Sequence, residues 1–228
     1  MAKKRVASVP EEGQDVIVIP APKFKTIEIP IVGNAPYVQN AMPARLLADL
    51  HRKHAGGQAA KNQSRKKEPK NFEEMFEQAK HQSPEGWYGI PSSAFRSAMV
   101  SACRLTGYPM TKAKLSVFIV ADGYDKADVG MGLTRITSEA EPEHFESITR
   151  IQQTINVVAR PLFKAGWEAL VRVRWDTDQF DTASICNLMM RVGEQVGVGE
   201  GRPDSKSSTG MGWGTFKLNF ADQAKEVA

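Results

Sequence analysis

Residues Trp167 to Trp175 alternate strictly. Trp167, Ala169, Val171, Val173 and Trp175 fall on one side, and Glu168, Arg172 and Arg174 on the other. A period of two is that of a β-strand with one face buried and one in water. Such a strand belongs in an antiparallel sheet covered on a single face. The cover must come from elements with one apolar stripe, and the sequence supplies two helical patterns of that kind. Phe95, Ala98, Met99, Ala102 and Cys103 recur at helical spacing after Gly89-Ile90-Pro91, with Ser92 or Ser93 placed to cap them and Arg96 and Arg104 off the stripe. Ile185, Leu188, Met189, Val192 and Val196 form the second stripe, capped by Asp181 or Thr182 and ended by Gly197.

Further strands are expected around these. Ile27, Ile29 and Ile31 alternate with Glu28 and Pro30 within residues 24–32. Leu115 to Val120 and Ile155 to Ala159 are compact apolar runs, and Phe216, Leu218 and Phe220 alternate in the last one. Val16 to Ile19 is a short strand candidate ahead of Pro20. Asn71 is placed to cap a helix over FEEMFEQAKHQ, and residues 122–132 read as a turn-rich loop. Two one-striped helices against an antiparallel sheet make an α+β sandwich. The simplest closed arrangement is the βαββαβ, ferredoxin-like one, with helices on one face. The chain divides into a polar arm at residues 1–14, one domain at 15–220 with a basic insertion at about 44–86, and a tail at 221–228.

Several classes fall away. No stretch approaches the ~18 apolar residues of a membrane span, and no apolar core follows the basic start, as a secretory signal would need. Cys103 and Cys186 lie in apolar helical patterns and read as buried thiols of a cytoplasmic protein. His51, His54, His81 and His144 form no ligand cluster, so neither a metal nor another cofactor is expected. Asp122, Asp125 and Asp128 read as turn residues, since their spacing is not that of a calcium loop.

Two segments remain for function. Glycines 197, 199, 201, 210, 212 and 214 cluster between the second helix and the last strand, with Arg202, Lys206 and Trp213 among them. Glycine lets a backbone approach a ligand and present N–H groups, cations and hydroxyls suit phosphate oxygens, and Trp213 could stack on a base. A flexible hairpin with Trp213 folded onto the core has the same composition. No GxxxxGK[ST] is present, and helix-before-strand order is the reverse of a phosphate-binding loop. The second segment is basic. Eight Lys/Arg between Arg45 and Lys70 face only Asp49 and Glu68, an excess of six, whereas the whole chain carries +4. Arg52, Lys53, Arg65, Lys66 and Lys67 are its candidates for a nucleic-acid backbone, and a solvated linker is the alternative.

Three stretches, in order, resemble the CRISPR-associated RAMP superfamily. Residues 89–98, GIPSSAFRSA, are similar to its IPGSSLRGALR helix start. The glycine-rich stretch ending GMGWGTFKL is similar to its C-terminal loop, and IEIPIVGNAPYVQ to its opening strand. The nearest likeness is to the backbone subunit that coats guide RNA, and a viral or mobile-element relative that coats a strand would share it. The resemblance implies an RRM-like core, and single-stranded nucleic acid held by Ser92, Ser93, Arg96, Gly199, Gly201, Arg202, Gly210, Gly212 and Gly214. The expectation is a non-catalytic protein that binds single-stranded RNA or DNA and assembles as a homo-oligomer along it. The alternatives are an endoribonuclease using His51, His54 or Asp122, and an assembly protein without nucleic acid.

Overall fold

The computed structural model describes residues 20–42, 51, 54–55, 69–128, 130–151, 154–205 and 210–219. Two strands form its centre. β1 (Phe24–Gly33) pairs antiparallel with β9 (Glu168–Asp176), from Phe24 opposite Asp176 to Val32 opposite Glu168. This register sets Ile27 across from Val173, Ile29 from Val171 and Ile31 from Ala169. A slip of one residue would turn that whole apolar set to water, so burial fixes the pairing. β10 (Phe216–Leu218) adds beyond β1, and β4 (Val117–Val120) beyond part of β9, both antiparallel. The resulting order is β10–β1–β9–β4.

Two helices cover one face. α2 (Ser92–Ala102) precedes β4 in the chain, and α4 (Thr182–Arg191) follows β9. The stripe Phe95, Ala98, Met99, Ala102 and Cys103 is buried, as are Ile185, Leu188, Met189, Val192 and Val196. All join one core with Ile29, Ile31, Val171, Val173 and Trp175. Asp181 caps α4 by accepting from the Ser184 N–H at 2.7 Å. A π-turn, Val192–Val196, extends the helix to Gly197.

Two insertions enlarge this unit. Between β1 and α2 come β2 (Tyr37–Val38), α1 (Phe72–Gln78) and β3 (Gly89–Pro91). Asn71 caps α1 through the Glu74 N–H, 3.2 Å away. Between β4 and β9 come β5 (Gly123–Tyr124), β6 (Gly132–Thr137), β7 (Glu143–Ile151) and β8 (Thr154–Phe163). β6 joins the main sheet through Ile136 and Thr137, opposite Ala169 and Glu168, and β3 and β5 pair with β6. β7 and β8 form a long hairpin that takes β2 on its other side, making a second, three-stranded sheet. Trp167 ties the sheets together. Its ring meets Tyr37 of β2 at 5.6 Å and Phe216 of β10 at 6.1 Å, and its Nε1–H donates to the Ala35 carbonyl.

Some expectations change. The N-cap of α2 is Pro91, not Ser92 or Ser93, and no side chain caps it. Leu115 and Ser116 are not strand but the last turn of α3 (Met110–Ser116), where Pro109 sets the first turn. β8 runs well past Ala159, and the second sheet has no counterpart in the expected single-sheet plan. Cys103 is buried and Cys186 half-buried, and both thiols are free. The 1–14 arm, the Val16–Ile19 strand and the tail lie outside the described residues. Among the described residues, no helix is long and apolar enough to cross a membrane.

Candidate nucleic-acid interface

The glycine-rich segment is stitched to the core. The Val198 N–H donates to the Gly214 carbonyl at 2.9 Å, and the Gly214 N–H to that of Pro36 at 2.7 Å. The Glu200 N–H reaches the Val38 carbonyl at 3.1 Å, and the Met211 N–H that of Gly201 at 2.9 Å. Asp204 and Trp213 spend their N–H groups on Val196 and Gly201. Of the candidate glycines, Gly214 thus has its N–H bonded within the protein, and the five other bonded N–H groups belong to residues between the glycines. At Gly201 and Gly214 the reason for glycine is close approach. A Cβ at Gly201 would enter the Trp213 ring, and one at Gly214 would overlap the Val198 carbonyl. Trp213 folds back. It lies on Gly201 and meets Phe145 of β7 edge-on, 5.5 Å between centroids. Among the described residues of the segment, Pro203 and Met211 are exposed, and nothing lies near an added Cβ at Gly212.

The segment's charged groups are largely spoken for. Arg202 donates through Nη1 to the Gly199 carbonyl at 3.0 Å, and Glu200 pairs with Arg160 at 3.1 Å. Asp204 docks on the end of α2. It accepts from the Ser101 hydroxyl and from Arg104 Nη2, the latter at 2.6 Å. The Ser101 hydrogen bond, aided by the Arg104 charge, holds the Asp204 carboxyl below its ordinary 3.8. A lowered value means that the contact's contribution is present in full above the ordinary value and is lost as pH falls through the lowered one. Acid should therefore release this corner. Trp213 emission should change below about pH 4, and Asp204→Asn should show the acid form's emission at neutral pH. An Asn variant indistinguishable from wild type at every pH would refute the tether.

The start of α2 is a separate place. Ser92 and Ser101 are nine residues apart, about 14 Å along the axis. Ser92 is buried, its hydroxyl 3.0 Å from that of Thr134. Ser93 is exposed. Arg96 donates to the carbonyls of Val117 and Lys114, and so secures β4 and α3. Thus Ser92 and Arg96 have partners within the fold, and the helix start and the Asp204 corner do not form one cluster. Arg52, Lys53, Arg65, Lys66, Lys67 and Lys206 lie outside the described residues, and Gly210 sits against Pro203.

The uncovered face of the main sheet carries groups that were not singled out. Arg174 lies over the Phe24 ring at 4.4 Å, and Phe24 meets Phe118 at 5.8 Å. Arg135 lies over Trp87 at 6.0 Å. Between them, Arg172 pairs with Glu28 at 3.0 Å and Asp122 at 2.6 Å. Asp122 also accepts the Arg135 N–H at 2.7 Å. The alternation of residues 167–175 already placed Arg172 and Arg174 outward, but nothing local linked them to Phe24 or Trp87. A buried pair also escaped notice. His81 Nδ1 lies 3.0 Å from Asp125 Oδ2, and Asp125 Oδ1 accepts the Ala127 N–H at 2.8 Å. Asp125 is thus both a turn residue and the partner of a histidine 44 positions away.

No family model matches the chain, and no curated protein matches it.

Proposed function

We propose that this chain binds single-stranded nucleic acid, RNA or DNA, on an RRM-like, ferredoxin-like core, and that copies sit side by side along the strand. The observation that carries the reading is the antiparallel order β10–β1–β9–β4 with α2 and α4 on one face. It is the order a βαββαβ unit requires once the two insertions are set aside. The ordered likeness to the RAMP superfamily supports the same reading, for a cytoplasmic guide-coating or phage-type coating subunit. The basic run at residues 45–70 supplies the counter-charge. Within this reading the described part of the glycine-rich segment acts as a wall held by its backbone bonds, offering Met211 and Gly212. No catalytic role is proposed for Asp122, which is held by Arg172 and by the Arg135 N–H.

The test is fluorescence anisotropy of labelled RNA and DNA oligonucleotides across salt. Binding at micromolar protein is expected, with affinity falling at least tenfold between about 50 and 200 mM salt through counterion release. Protein purified at low salt should carry excess absorbance at 260 nm that nuclease removes. No binding, or affinity flat with salt, overturns the reading.

A further inference from the structure

The open face of the main sheet is not a featureless solvent surface. Its outward side chains follow from the register. Phe118, Arg174 and Thr26 share one row; Val120, Arg172 and Glu28 the next; Leu170 and Pro30 the third. Val120 and Leu170 are exposed. The acidic groups of β9 sit at its two ends, Glu168 and Asp176, and the two arginines occupy the middle. Arg172 is fixed between Glu28 and Asp122. Arg174 and Arg135 differ from it. Both are exposed, each lies over an aromatic ring, and neither has a carboxylate within ion-pair distance among the described residues. Asp122 links the two arms, because its carboxylate takes both Arg172 Nη1 and the Arg135 N–H.

A guanidinium held against a ring has lost little hydration and keeps a planar outer surface with N–H edges. It can stack on a base while its edges meet phosphate oxygens. Successive outward residues of a strand stand about 6.6 Å apart, so Arg174 stands one such step from the already paired Arg172, beside Phe118. A second copy docking here through a symmetric interface would bring the same arginines against each other. An acidic protein surface would satisfy the cations but not use the rings. Single-stranded nucleic acid supplies both π-faces and anions.

We infer that this face, through Arg174 on Phe24 and Arg135 on Trp87, is a second contact surface for single-stranded nucleic acid, apart from the glycine-rich segment. The inference rests on the nucleic-acid reading above. It is tested with the full chain and labelled poly-U and poly-dT, comparing wild type with R135A/R174A and with Arg174→Lys. The double variant should bind about ten- to a hundredfold more weakly and lower the slope of log affinity against log salt by about 1.5. Arg174→Lys should keep the slope and lose only affinity, because ammonium retains charge but not the planar stack. Far-ultraviolet dichroism and melting of both variants should match wild type. If wild type binds and the double variant binds equally, the inference is overturned while the nucleic-acid reading stands. If the double variant instead alters only sedimentation, the face joins protein copies and the inference is likewise overturned. If wild type itself does not bind, both fall.

Discussion

Gly214→Ala should collapse the glycine-rich segment, whereas Gly212→Ala should leave it standing. Both positions have left-handed backbone, φ 66° and 77°, so a side chain costs each about 1–2 kcal/mol from conformation alone. The surroundings then separate them. The Cβ of an alanine at 214 would occupy the place of the Val198 carbonyl oxygen, while at 212 it meets open space. Retreat is blocked at 214, because its N–H bonds to Pro36 and its carbonyl to the Val198 N–H. Adding an overpacking cost of about 1–3 kcal/mol gives about 2–5 kcal/mol for Gly214→Ala. In a chain of this size that is a drop in Tm of about 4–20 °C, against about 2–8 °C for Gly212→Ala. Thermal melts followed by Trp213 emission would read both. Equal losses would mean that φ alone, and not the Val198 carbonyl, sets the need for glycine.

What the sequence discloses here depends on how sharply burial alternates. β1 and β9 were legible because Ile27, Ile29 and Ile31 and the residues from Trp167 to Trp175 bury one face and expose the other. The helix stripes were legible for the same reason. β7 was not, since in Glu143-His144-Phe145-Glu146-Ser147-Ile148 the apolar Ile148 is exposed and shares a face with His144 and Glu146, so hydropathy does not alternate along it as burial does. α3 escaped because Leu115, which reads as the start of a strand, is an exposed residue on its last turn. The glycine-rich segment was found but its action was ambiguous. Composition cannot separate glycines that open a backbone to a ligand from glycines that let backbone pack on backbone. The deciding partners, Pro36 and Val38, lie far back in the chain, on the approach to β2 and within it. The pairing of His81 with Asp125, and of Arg174 with Phe24, is likewise made by tertiary contact and has no local signal.

On the nucleic-acid reading proposed above, neutralising the basic run should cost more affinity than any change on the open face of the main sheet. Replacing Arg52, Lys53, Lys61, Arg65, Lys66 and Lys67 by glutamine removes six charges and turns the net charge from +4 to −2. Each phosphate left without its cation lowers the salt slope by about 0.7–0.9, so the variant's slope should be shallower by up to about four to five. At 0.1 M salt the affinity should fall more than about a hundredfold, because a net-negative protein also forfeits its long-range attraction for the strand. The residual slope then measures what the rest of the chain contributes, and R135A/R174A introduced into the same background should take it nearly to zero. If the sextuple variant keeps the wild-type slope, the run does not touch the strand. Binding would then belong to the open sheet face, where Arg135 and Arg174 sit over their rings.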